Sequence, residues 1–102
     1  MKIRVLTKRP GQVPRSTWIE NGLKNLQNYV GGYIETVTLA TDCVVICDEE
    51  GRLNGKEYNC TICGVDFAGD IIICGVKEDE FADLPIEYNE AKKIFKNLWR
   101  QE

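Results

Sequence analysis

Histidine is absent from all 102 residues, and serine occurs once, at Ser16. Imidazole is the commonest general base and the commonest metal ligand, so its absence removes both at a stroke. Serine–histidine and cysteine–histidine catalysis are excluded with it. No apolar run approaches the ~20 residues that a membrane-spanning helix requires. The opening MKIRVLTKRP has too short an apolar stretch for a secretory signal. The expected location is therefore the cytoplasm, with no membrane partner. No low-complexity linker or internal repeat divides the sequence, and its length suits one domain, 1–102.

What the chain does have is cysteine, at positions 43, 47, 60, 63 and 74. An odd count without a secretion signal argues for free thiols in a reducing compartment. Cys43-x3-Cys47 followed by Cys60-x2-Cys63 has the outline of a zinc ribbon. Strand geometry opposes it: four residues of extended chain separate Cys43 from Cys47 by ~13 Å, too far for one ion with ~2.3 Å zinc–sulfur bonds. Cys60 and Cys63 alone lack two ligands, which would have to come from Cys74 or Asp66. A redox pair needs a helix N-terminus to acidify its thiol, whereas CTICGV reads as strand. The cysteines are read as buried structural residues. No metal, no cofactor and no catalytic residue is assigned.

Charge is segregated. Residues 1–34 carry Lys2, Arg4, Lys8, Arg9, Arg15 and Lys24 against Glu20 alone, whereas residues 35–90 are strongly acidic and the C-terminus is basic again. Such runs are usually solvated surface; the sharper reading is a bipolar molecule that offers a basic edge and an acidic face to different partners.

KIRVLT alternates as a short strand. Thr17 and Glu20 have the spacing of a helix capping box, and Ile19, Leu23, Leu26 and Val30 form an apolar stripe that Gly31-Gly32 should terminate. YIETVTLA and CVVICD read as a hairpin turning at Thr41-Asp42. A strand near 60–65, the strand IIICGV and a helix over about 88–100 complete the series. The fold class is α+β: a small antiparallel or mixed sheet of four to five strands with two helices, in the order β-α-β-β-β-β-α. CVVIC and IIIC are apolar at every position, so both faces need cover. With two helices on one face, the other should curl as a half-barrel or meet a second copy, a homo-oligomer.

Two segments are candidates for binding. In KRPGQVPRST, Arg9 and Arg15 beside the expected helix N-terminus could hold an anion, with a rigid proline-containing connector as the plainer reading. In DEEGRLNGKEYN, Arg52, Asn54, Tyr58 and Asn59 suit a recognition loop on a rigid sheet. Asp48 and Glu50 could instead serve acid–base chemistry or a divalent cation, although calcium-loop spacing is missing. Direct nucleic-acid binding would need aromatic residues interleaved with the basic run, and only Trp18 lies near it.

The string VGGYIETVTLATDCVVICDEEGRLNG, followed by Asn59 and GDIIICG, resembles the family called domain of unknown function 3846. The resemblance runs from about Trp18 to Pro85. Its most specific parts are Gly31-Gly32-Tyr33-Ile34-Glu35 and Asp48-Glu49-Glu50-Gly51. It implies a small accessory protein of bacteria, phages or mobile elements, a setting in which interference with host defence is common, and it brings no activity or catalytic residue. The resulting expectation is a non-enzymatic protein that binds a host protein or a small ligand through some of Arg9, Arg15, Tyr33, Glu35, Arg52, Asn54, Tyr58 and Asn59. One version is a sponge for a nucleotide signal, with Tyr33, Arg9 and Arg15 as its pocket. A carboxylate or metal-dependent enzyme and a nucleic-acid-binding module rank below it.

Overall fold

The computed structural model describes residues 1–100. Its centre is formed by the two segments that are apolar at every position. Cys43–Asp48 (β4) and Ile71–Lys77 (β7) pair antiparallel, in register from Cys43↔Gly75 to Ile46↔Ile72. Branched side chains favour the extended backbone, and Val45, Ile46, Ile71 and Ile72 are wholly shielded from water. Each contributes about 1.5–3 kcal/mol by that burial.

Lys2–Lys8 (β1) pairs with the first half of β7, and Arg15–Glu20 (β2) lies outside β1 as an edge. Ile34–Ala40 (β3) flanks β4 as the other edge, joined to it through Thr41-Asp42 as the sequence suggests. Tyr58–Ile62 (β5) and Val65–Ala68 (β6) form a separate hairpin. Glu80–Ala82 (β8) pairs with the second half of β7. The main sheet runs β2-β1-β7-β4-β3, with every pairing antiparallel and its edges open. The α+β class is as expected; the strands are more numerous, six in the main sheet and two in the hairpin.

The first helix is shorter than its apolar stripe suggests. Arg15–Glu20 is strand, and the helix, Leu23–Val30 (α1), begins only after Asn21-Gly22. Thr17 and Glu20 form no capping box: Thr17 faces Val5 across the ladder, and the Glu20 carboxylate accepts the Met1 ammonium at 2.9 Å. Thr, Trp and Ile in RSTWIE favour a strand, and six registered pairs with β1 decide the matter. Gly31 does end α1, with φ 79° and its N–H on the Gln27 carbonyl.

Because α1 carries the chain from edge β2 to edge β3, it crosses one face of the sheet. Leu26 and Val30 pack there on Ile3, Val5, Val44, Ile46, Ile72 and Cys74. The opposite face, with Leu6, Val45, Cys47, Ile71 and Ile73, is covered by Cys60, Ile62 and Phe67 of the hairpin and by Leu84, Ala91 and Leu98. The last two come from Tyr88–Ile94 (α2) and a 3₁₀ turn, Lys96–Trp99, into which the expected C-terminal helix breaks. Trp99 donates to the Tyr88 hydroxyl at 3.3 Å and meets its ring edge-on, closing the tail onto the start of α2. The helices thus sit on opposite faces, and the chain's own segments cover both sides of its central strands, in a sheet that is not closed into a barrel.

The hairpin explains the CxxC spacing. Cys60 is buried in β5, while Cys63 and Gly64 form the two-residue turn between paired Ile62 and Val65. Both turn residues have positive φ, 50° and 79°, as a type I′ turn requires. Cysteine has no preference for that conformation and asparagine does. Cys63→Asn, which creates the favoured Asn-Gly turn, is expected to raise stability by about 0.5–1 kcal/mol in urea unfolding under reducing conditions.

Candidate functional site

The thiols offer little chemistry. All five are free, and burial pushes those of Cys43, Cys47 and Cys60 up to about 11 and that of Cys74 up to about 12. Such groups are neutral and shielded at pH 7, the opposite of an activated nucleophile. Among the described residues, no three cysteines and carboxylates converge in an arrangement that would hold a metal ion. The only serine, Ser16, is exposed on edge strand β2.

The most distinctive concavity lies at the loop end of the β1–β2 hairpin, on the α1 side of the sheet. It measures about 380 Å³ and is lined by Arg9, Arg15, Thr17, Trp18 and Tyr29 among others. Strand alternation brings part of this group together: Thr7↔Arg15 and Val5↔Thr17 are paired, so Arg15 and Thr17 point to the α1 face, whereas Trp18, paired with Arg4, points its ring to the opposite face. Tyr29 reaches the cleft from the last turn of α1. The loop 9–14 keeps Arg9 beside Arg15 through the bond from the Gln12 amide to the Arg9 carbonyl. Arg9 approaches Asp70 at 3.8 Å, a long contact between partly solvated groups, and Arg15 has no carboxylate within 4 Å among the described residues. Trp18 is 58% exposed. Two guanidinium groups and the Tyr29 ring therefore border one cleft, with no acid among its described lining residues.

The residues expected to bind do not form one site. Arg9 and Arg15 share the cleft above. Tyr58 and Asn59 lie on the opposite face, at the start of β5. Glu35 and Arg52 line a smaller recess of about 130 Å³ with Leu53 and Asp66. Asn54 is exposed in the turn after Arg52. Tyr33 is 74% exposed and stands at the far edge of the sheet, where its carbonyl accepts the Glu49 amide. The proposed grouping of Tyr33 with the two arginines is therefore corrected: α1 carries Tyr33 away, and Tyr29 supplies the ring instead. No sequence signal marks Tyr29, since only the crossing of α1 brings it there.

The sequence model of one protein family matches residues 1–98, which includes β1 and the C-terminal turn as well as the stretch quoted above. The chain belongs to the family described as domain of unknown function (DUF3846). No curated protein and no solved structure matches it. Among the described residues of this DUF3846 chain, no helix is long and apolar enough to cross a membrane.

The two segments that carry the family resemblance meet in this fold. Asp48, at the end of β4, is buried, and its Oδ2 contacts the Lys56 ammonium at 2.6 Å while its Oδ1 accepts the Glu50 amide at 2.9 Å. Lys56 also donates to the carbonyls of Val30 and Gly31, at 2.7 and 3.2 Å. These are the orphan acceptors at the C-terminus of α1, where the helix dipole favours a cation. Burial alone would raise the Asp48 carboxyl; Lys56 and the Glu50 amide outweigh it and hold the group below its ordinary value. A Cβ on Gly32 would lie 2.5–2.8 Å from the Asp48 carboxylate, so the glycine is what admits that side chain. In this DUF3846 chain Asp48 is thus a fastening between β4, the loop after it and α1. Its charge is neutralised by Lys56 and its Oδ1 is taken by the Glu50 amide, which argues against it as a general base or cation ligand.

Proposed function

We propose that this DUF3846 chain is a non-enzymatic binding protein whose Arg9–Arg15 cleft takes a small phosphorylated ligand carrying an aromatic ring, a nucleotide in the simplest case. The observation that carries the reading is the convergence of Arg9 and Arg15 with Tyr29 in one cleft that no described acid lines. Guanidinium groups bind phosphate in a bidentate fashion, and exposed aromatic faces stack on bases. The buried, neutral thiols and the fastened Asp48 favour binding over catalysis.

A small ligand is favoured over docking on a host protein by the surface itself. Of the large exposed apolar side chains of residues 2–100, Leu53 and Val65 share one small recess, while Trp18, Leu23, Tyr33, Tyr58 and Ile94 are carried by separate segments. Side chains exposed singly are ordinary surface. Sequestration of a nucleotide signal, in the accessory role that the family resemblance implies for phages and mobile elements, is the form of binding this cleft suits.

Titration calorimetry with AMP or a cyclic dinucleotide is expected to show saturable binding to the wild type. Tyr29→Ala, which removes the ring on the α1 side of the cleft, should weaken it, whereas Trp18→Phe, whose ring faces the other side of the sheet, should not. Arg15→Met and Arg9→Met should each weaken binding by about 10-fold or more, the usual worth of one charge-assisted contact. Adenosine and inorganic phosphate should each bind more weakly than the nucleotide. Absence of a saturable signal with every nucleotide, or equal affinity in the arginine variants, would overturn the reading.

A further inference from the structure

Lys8 directly precedes Arg9 in sequence but faces the other side of the sheet, away from the arginine cleft. The residue is only 6% exposed. An ammonium group so far from water needs a counter-charge, yet no carboxylate lies within 4 Å of it among the described residues. Its partners are neutral: Asn59 Oδ1 at 2.8 Å and the Arg9 carbonyl at 3.4 Å. Asn59 is itself held fast, since its Nδ2 donates to the carbonyls of Lys8 and Gly69 at 2.8 and 2.7 Å. An ammonium has three N–H donors, so two neutral acceptors leave one donor free and the whole charge unbalanced. Burial accordingly pushes the Lys8 amine below its ordinary value.

Lys8 lines a groove of about 490 Å³ between the β1–β2 loop, β5 and the C-terminal 3₁₀ turn. Gln12, Tyr58, Asn97 and Arg100 border the same groove, whose lining among the described residues includes two cations and no acid. Tyr58 is fixed by its hydroxyl contact with Thr61 at 2.6 Å, and Thr61 donates to Asp66. Its exposed ring forms an apolar wall beside the polar floor.

We infer that this groove is a second, independent binding site for an oxyanion, a phosphate ester or a carboxylate, with Lys8 as the buried anchor and Arg100 as the outer cation. The anion supplies the charge that the fold withholds from Lys8, and accepts the donor that Asn59 and Arg9 leave free. Tyr58 provides the surface for an apolar or aromatic substituent next to the anionic group. The site stands apart from the arginine cleft: it lies on the other face, and its two cations are different.

Two probes separate the anion classes, phenyl phosphate and benzoate, each added at constant ionic strength with chloride as the reference. Melting temperature and titration calorimetry are read in parallel. The wild type is expected to bind at least one probe saturably and to melt higher in its presence. Arg100→Gln, a surface change, should weaken that binding about 5-fold or more, and Lys8→Met should weaken it by more than about 10-fold. Arg15→Met should leave it unchanged, which distinguishes this site from the nucleotide cleft. No saturable binding of either probe to the wild type would overturn the inference. So would unchanged affinity in Arg100→Gln, which tests it even if Lys8→Met fails to fold.

Discussion

Lys56→Met is expected to destabilise the protein by about 3 kcal/mol at pH 7 and to lower its melting temperature by on the order of 15 °C. The substitution removes the partner of a buried carboxylate, which typically costs more than the intact pair contributes. Lys56 is partly solvated, so the lower part of the usual 3–5 kcal/mol range applies. The loss includes the two bonds that close the C-terminus of α1. Nor can Asp48 swing out to find water: its Oδ1 is engaged by the Glu50 amide, and the side chain is packed against Gly32.

The pH dependence gives this prediction its sign. In the wild type the Asp48 carboxyl is held below its ordinary value of 3.8. The stability this contributes is present above about pH 4 and is lost as pH falls through the folded-state value. In Lys56→Met the balance shifts, because burial is then opposed only by the Glu50 amide, and the folded carboxyl takes up a proton more readily than in the wild type. Acid therefore weakens the wild type more than the variant. The gap between the two in urea unfolding should be widest at pH 7 and narrow toward pH 3.5. A gap independent of pH would mean that Lys56 acts only through packing and the helix carbonyls.

Segments with a single plausible period were legible in the sequence. CVVICD and IIICGV can be satisfied only by a two-sided strand, Thr41-Asp42 leaves no room for anything but a hairpin, and Gly31 stops α1 for a local steric reason. Where two periods fit, the local signal failed. Ile19 sits at helical spacing from Leu23 and equally at strand alternation with Thr17, and the choice belongs to β1, which pairs with it. β8 was hidden because a short strand at an edge in a run of acids has the composition of a loop. The functional surface divides in the same way. Arg9 and Arg15 were visible as a basic loop, but their aromatic neighbour, Tyr29, depends on where α1 crosses the sheet. Lys8 and Lys56 look like surface lysines in a charged chain; burial by segments far away in sequence makes one an anchor and the other a clasp.

Gly75→Ala is the substitution expected to damage the core most directly. Gly75 lies inside β7, paired on one side with Cys43 and on the other with Ala82. Glycine ordinarily weakens a strand interior, and its presence there marks a close approach by another part of the chain. That part is the backbone after β8: a Cβ on Gly75 would collide with the Asp83 carbonyl. The crossing delivers Leu84, 1% exposed, into the core beneath α2. It is fastened from the other side by Arg4, whose guanidinium donates to the carbonyls of Leu84 and Ile86 at 2.7 and 3.1 Å, and whose carbonyl accepts the Leu84 amide. A side-chain tip could rotate away from a new methyl group, whereas a carbonyl tied at both ends cannot. The methyl group must therefore push the 82–86 segment off the sheet, with a cost of about 3 kcal/mol, at the upper end for overpacking. Gly22→Ala is the control, because its Cβ would meet only the Asn25 amide at 3.1 Å, at the end of a flexible side chain. Urea unfolding should separate the two variants by about 2 kcal/mol or more. Hydrogen exchange should show Gly75→Ala losing protection first at the Leu84 amide, which donates to Arg4 across the same crossing. If Gly75→Ala proved as stable as Gly22→Ala, the close approach of the Asp83 carbonyl to β7 would be disproved.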